Sequence, residues 1–154
     1  VTGKAALIVF GGLPGTGKTT LARALVVRLG AIYLRIDTIE QAMKDAGAVA
    51  IGAAGYAAAN EIAVDNLVLG RPVGADCVNP VRDSRLGWRH VAARAGCRMA
   101  EIELVCSDAA EHRRRVETRS ADSPGLILPS WDEVRRREYD AIACSVLIGA
   151  PNTL

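Results

Sequence analysis

A chain of 154 residues is long enough for one domain with a sizeable core, and a net charge of only +2, spread along the chain, gives no basis for a nucleic-acid or membrane surface. Half of the residues are apolar but only 4% are aromatic, so the core must be aliphatic and alanine-rich, which suits a parallel sheet covered by helices. No run is long enough to span a membrane, no signal peptide is read, and the four cysteines (Cys77, Cys97, Cys106, Cys144) form no C-x-x-C pair, as expected of reduced thiols in a cytoplasmic protein.

The first element is an apolar run, Ala5–Phe10, that reads as a buried strand. It runs into G-x-x-x-x-G-K-[ST], complete from Gly12 to Thr19, and then into a helix over Lys18–Leu29. Leu21, Leu25 and Leu29 line one face of that helix, and Gly30 stops it. In such a loop Gly12, Gly15 and Gly17 allow close backbone approach, so the N–H groups from Leu13 through Thr16 to Thr20 cradle phosphate oxygens. Pro14 completes the segment, Lys18 supplies a point charge for the β- and γ-phosphates, and the Thr19 hydroxyl can bind Mg²⁺. The phosphates then meet the positive end of a helix.

A second strand, Ala31–Ile36, leads to Asp37 and a helix over Thr38–Ala46. Ligands of open α/β sheets bind beyond the carboxyl ends of the strands. Asp37 therefore suits a base that takes a proton from an attacking hydroxyl, or a metal partner; it also fits an N-cap with Glu40 at N3. Ala46–Gly55 is almost all alanine and glycine, and precedes a helix over Tyr56–Leu69. The third strand, Arg71–Val78, carries Asp76, a candidate for Mg²⁺ or its waters, or else a buried carboxylate held by backbone N–H groups. Arg82 and Arg85 follow, where an acceptor could bind or where two solvated arginines could open the helix Ser84–Ala95.

A fourth strand over Met99–Cys106 leads to a helix over Asp108–Thr118, dense in arginine. Arg115 and Arg119 are four apart and share a face; from a closing segment they could stabilise charge on a transferring phosphoryl group. Arg113 and Arg114 read as solvated, as do Arg135, Arg136 and Arg137. Ser120–Ser130 is a loop that either closes over substrate or simply links two helices, and Ser130–Glu133 is a capping box opening the helix Trp131–Ala141. The last strand is Cys144–Ile148, and neither His90 nor His112 has a partner at metal-ligand spacing.

Taken together, Gly11–Ala22, Leu34–Asp37, Gly70–Asp76, the Arg115/Arg119 pair and Pro129–Val134 resemble the small P-loop kinases near the zeta-toxin, chloramphenicol phosphotransferase and gluconate kinase families. The resemblance runs from Gly11 to about Tyr139. It implies one α/β domain over 1–154 with a five-stranded parallel sheet flanked by helices and a lid around 108–130. It also implies ATP with Mg²⁺, and transfer of the γ-phosphate to a hydroxyl of a small-molecule acceptor. Lys18 and Thr19 would bind phosphate and metal, Asp37 would be the base, and Arg115 and Arg119 would belong to the lid helix. Such kinases continue with a helix after the last strand, whereas here Leu154 follows Ile148 closely. The competing expectation is a nucleotide-binding switch or slow NTPase acting with a protein partner, whose mobile segments report the nucleotide. Ala46–Tyr56, Arg82 and Arg85 are expected to build the acceptor pocket.

Overall fold

Alternation along the first strand divides the core in two. The computed structural model describes residues 5–122 and 124–140 and the backbone of 146–149. In β1 (Ala6–Gly11), Leu7 and Val9 face one side of the sheet while Ile8 and Phe10 face the other, as the period-2 geometry of a strand requires. Phe10 packs with Ala22 and Val26 of α1 (Lys18–Leu29). Leu7 and Val9 pack against the helices on the opposite face, α3 (Ala54–Val68) and α4 (Arg82–Ala95), through Ala59, Ala63, Trp88 and Val91.

Five parallel strands form one sheet in the order β2-β3-β1-β4-β5, where β2 is Ile32–Arg35, β3 Val73–Asp76, β4 Arg98–Val105 and β5 Val146–Gly149. β3 is buried along its whole length, and α1 presses directly on it. A Cβ at Gly74 would lie 2.3 Å from Val26 Cγ1, so only glycine lets the two elements approach this closely. On the other face Trp88 is fully buried and lies 6.5 Å from the Tyr56 ring. At about 25 cal/mol per Å², the ~200 Å² of an indole contributes at most ~5 kcal/mol, so this one residue anchors an otherwise aliphatic layer.

Several expected boundaries shift. Helix α2 spans Ile36–Asp45, with Arg35 at its N-cap and no side-chain cap. Asp37 therefore sits in the first helical turn rather than at a cap, and the proposed box with Glu40 does not form. β3 is shorter than Arg71–Val78 because the chain turns sharply after it, with Asn79 at φ 52°. Helix α5 (Ala109–Thr118) is capped by Asp108, which accepts from the Ala110 and Glu111 N–H groups. Helix α6 covers only Trp131–Arg136, opened by the expected Ser130–Glu133 box. Cys144, Asn152 and the C-terminal end at Leu154 lie outside the described residues. Cys77, Cys97 and Cys106 are free thiols; Cys77 is buried just past β3 and Cys106 lies just past β4. Among the described residues no helix is long and apolar enough to cross a membrane.

Candidate active site

The strand order brings the end of β1, its loop and the end of β3 together at one edge of the sheet. Phe10 is in register with Asp76, so the loop leaves β1 beside that carboxylate. Gly12 N–H donates to Val78 O at 3.1 Å, and Thr16 folds back on Leu13 O at 2.9 Å through its hydroxyl. Gly15 has φ 85°, and a Cβ there would lie 2.6 Å from Val116 Cγ2 of α5. Both the backbone angle and the space demand glycine at this position. The loop is thus held from outside as well as by its own turns. His112 of α5 donates from Nε2 to Pro14 O at 2.8 Å, and its ring meets Trp131 edge-on at 5.1 Å. That contact makes His112 part of the loop's support, although a metal role was all that sequence spacing could test.

Lys18 is only 8% exposed. Burial pulls its pKa below the ordinary lysine value, and the nearby carboxylates of Asp76 and Asp37 oppose that shift. Asp76 is 2% exposed, and its Oδ2 accepts from the Tyr33 hydroxyl at 2.7 Å. Burial, then the Asp76 carboxylate, push the Tyr33 pKa up, so the phenol stays a donor.

Two cavities border the loop. The first, about 400 Å³, is lined by the loop and α1 (Lys18, Thr19, Arg23) and by Arg115 and Arg119. The second, about 200 Å³, lies over α2 and is lined by Asp37, Glu40 and Lys44, by Leu126–Pro129 and by Arg137. Lys18, Arg35 and Arg119 line both. The Nε and Nη2 atoms of Arg119 are buried without a hydrogen-bond partner among the described residues. Burial lowers the Arg119 pKa, with Asp37 offsetting part of the shift; the group stays charged at neutral pH. A guanidinium placed in this way suits an anion at the junction of the cavities.

Arg35 is held differently. Burial opposes its charge, but Asp122 at 2.8 Å and Asp37 at 3.4 Å hold its pKa above the ordinary value. The same Asp122 oxygen meets Arg23 at 2.8 Å, so the segment after α5 is tied to α1 and β2 by one carboxylate. Arg115 is ion-paired to Glu111 at 2.6 Å, and Arg113 and Arg114 pair with Glu117 and Glu111. Hydrogen bonds from Arg114 and Arg115 hold the Glu111 pKa down at about 2.

Arg82 and Arg85 line neither cavity. Arg85 is 7% exposed, donates to Asn79 O at 3.2 Å and to Asp140 O, and stacks 5.5 Å from the Tyr139 ring centre. It fastens the turn after β3 to the chain after α6. Arg82 is exposed, and its backbone N–H donates to Asp140 Oδ2 at 3.1 Å. Ala46–Tyr56 supplies no lining residue to either cavity, although Gly55 packs behind Glu40. The wall of the second cavity is formed by Glu40, Lys44, the Leu126–Pro129 stretch and Arg137.

A parallel α/β sheet whose first strand ends in a lysine-bearing phosphate loop, with arginines facing that loop, defines a small P-loop NTPase of the kinase-like type. The AAA domain model AAA_33 matches residues 7–139, and the chain belongs to that family. No curated protein matches the chain. Among solved structures, a candidate kinase from Chloroflexus aurantiacus is similar with a TM-score of 0.74 at 23% identity, over 96% of this chain and 85% of that one. A gluconokinase from Sinorhizobium meliloti gives a TM-score of 0.63 at 17% identity, over 97% and 85% of the two chains. The APS kinase of Mycobacterium tuberculosis, solved with AMPPNP and APS, gives 0.65 at 17% identity, over 97% and 91%. At these identities the likeness is one of fold.

Proposed function

We propose that the protein is an ATP-dependent phosphotransferase that moves the γ-phosphate to a hydroxyl of a small molecule. The observation that carries this reading is the junction of the two cavities at Lys18, Arg35 and Arg119, with Asp37 on the far side. A pure hydrolase needs room for one water beyond the γ-phosphate; a cavity of about 200 Å³ holds an acceptor.

In this reading the loop from Gly12 to Thr20 cradles the phosphates in the first cavity. Lys18 and the unpartnered guanidinium edge of Arg119 spread the charge of the transferring group. The Thr19 hydroxyl, which lines the first cavity, and the Asp76 carboxylate, buried near Lys18, are hard oxygen donors of the kind that would hold Mg²⁺. When bound, that ion would neutralise charge shared between the β- and γ-phosphates. Asp37 orients the acceptor hydroxyl and takes its proton as the new O–P bond forms and ADP leaves. Tyr33 keeps one Asp76 oxygen engaged and so fixes the orientation of that carboxylate.

The test is Asp37→Asn. It removes the proton acceptor at nearly constant volume, so transfer falls by about 10²–10⁴-fold while ATP affinity is retained. Equal transfer by the mutant excludes Asp37 as base. The second reading, a slow NTPase that reports its nucleotide state, draws support from the Arg23–Asp122–Arg35 link, which couples the segment after α5 to the nucleotide cavity. It requires that no hydroxy compound raise ADP formation above background.

A further inference from the structure

Resting on the transfer reading above, we infer that the acceptor is a compact hydroxy compound with an anionic group of its own, held in the second cavity by Lys44 and Arg137. Asp37, Glu40 and Lys44 stand at i, i+3 and i+7 of α2, which places them on a single face, and all three line this cavity. Seven residues at 1.5 Å per residue put the ends of that row about 10 Å apart. A hydroxyl at Asp37 and an anion at Lys44 therefore fit one short molecule.

Charge accounting gives the sign of the ligand. The cavity presents Lys18, Arg35, Lys44, Arg119 and Arg137 against Asp37 and Glu40. The γ-phosphate takes up Lys18 and Arg119, and Arg35 is paired with Asp122 and Asp37. Lys44 and Arg137 then remain, both exposed on the lining: Glu40 lies within charge range of both, Glu133 outside the cavity also acts on Arg137, and neither cation has an ion pair within 4 Å among the described residues. Glu40 is pinned in place, because Gly55 packs on it so closely that a Cβ there would lie 2.5 Å from Glu40 Cγ. The roof is the 126–129 stretch, which rests on α2 where a Cβ at Gly125 would come within 3.1 Å of Gln41 Nε2. This roof is apolar (Leu126, Ile127, Leu128), so recognition of an anion falls to the two cations.

The reaction balances with ATP as donor: the acceptor oxygen forms a bond to the γ-phosphorus, the bond from that phosphorus to the β–γ bridging oxygen breaks, and the hydroxyl proton passes to Asp37. The experiment offers the full chain ATP, Mg²⁺ and matched pairs of acceptors. Short hydroxy acids are paired with their amides, and sugar phosphates with their parent sugars; mass spectrometry reads the added phosphoryl group. Phosphorylation of the anionic members, with kcat/KM at least about tenfold above their neutral partners, is the expected result. Lys44→Gln and Arg137→Gln each raise the acceptor KM by about tenfold and move kcat less than threefold, and Lys44→Arg restores most of the loss. Equal use of neutral partners, or an unmoved acceptor KM in both glutamine variants, overturns the inference and leaves the transfer reading standing. ADP released only with free phosphate across the whole panel removes the transfer reading, and this inference with it.

Discussion

His112 joins helix α5 to the phosphate loop, and its removal has a consequence that can be worked from the structure. In His112→Ala the carbonyl of Pro14, which is buried, loses the donor at 2.8 Å; an unsatisfied buried acceptor costs about 1–3 kcal/mol. The edge-on contact with Trp131 at 5.1 Å is lost as well, and such pairs contribute about 0.5–1.5 kcal/mol. Together these give a destabilisation of about 2–4 kcal/mol. With a urea m-value of about 2 kcal/mol/M for a domain of this size, the midpoint falls by about 1–2 M. The loop also loses an outer brace, because the His112 ring stands against Gly15 where a Cβ would be 3.3 Å from its Cδ2. ATP affinity should therefore drop about five- to tenfold, measured by calorimetric titration. His112→Gln, whose amide can donate to the same carbonyl, recovers part of the stability and part of the affinity. A midpoint shift below about 0.3 M in His112→Ala, with ATP affinity unmoved, refutes the bracing argument.

Other perturbations separate support from chemistry. Arg119→Lys keeps a charge but not the fork-shaped donor set, and kcat for phosphoryl transfer should fall by about 10³-fold with little change in ATP affinity, read in single-turnover assays. Arg85→Ala leaves Asn79 O and Asp140 O without their donor and should cost about 2–4 kcal/mol in urea unfolding, while the acceptor KM is unchanged; a raised acceptor KM would return Arg85 to the binding site. Asp122→Asn frees Arg23 and Arg35 from two ion pairs, each of about 0.2–1 kcal/mol, and should lower the KM for ATP by up to about fivefold, an effect that shrinks in high salt. Glu40 carries a pH signature. Burial, then Asp37, raises its pKa above the ordinary 4.5, so the folded state holds more protons than the unfolded chain just above that pH. Its contribution to stability is then lost as pH rises from about 4.5 through the folded pKa, and the charged form costs stability at neutral pH. Glu40→Gln should accordingly raise the melting temperature at pH 7 and bring no gain at pH 4, by calorimetry; equal shifts at both pH values contradict this.

The donor half of the site was legible because its requirements are local. The phosphate-loop pattern of Gly12–Thr19 is carried by residues adjacent in the chain, between an apolar strand and a helix that packs through Ala22 and Val26 with Leu21 and Leu25 beside them, while Leu29, expected on the same face, is exposed. Asp37 and Asp76 are singled out by a similar local rule, since the carboxyl ends of parallel strands face the ligand; Asp37 lines the second cavity and Asp76 lies buried beside the end of β1. The acceptor half was not legible. Glu40 and Lys44 share a helix face with Asp37, but that face gains meaning only when the 126–129 stretch and Arg137 are brought over it from far along the chain. Arg137 sits in a run of three arginines that reads as a solvated face, and only tertiary placement separates it from Arg135 and Arg136. Arg85 lines neither cavity, and its structural role was hidden from the sequence for a different reason. A cation at a helix start suggests a ligand, yet here it meets the carbonyls of Asn79 and Asp140, and no spacing in the sequence announces that. Helix α6 stops at Arg136, short of the expected Ala141, although the arginine-rich stretch has good helix propensity; beyond it the chain is tied to the turn after β3, with Asp140 N–H donating to Pro80 O at 2.8 Å and Asp140 O accepting from Arg85.

The proposed function is transfer of a phosphoryl group from ATP to a hydroxyl across the Lys18–Arg119 junction. It is tested most directly by following both products of one reaction, ADP and the phosphorylated acceptor, in the wild-type protein and in Asp37→Asn. The wild-type protein should form the two in equal amounts, and the mutant should bind ATP but form neither at more than about 1% of the wild-type rate. ADP accompanied only by inorganic phosphate, with every acceptor offered, would contradict the proposed transfer.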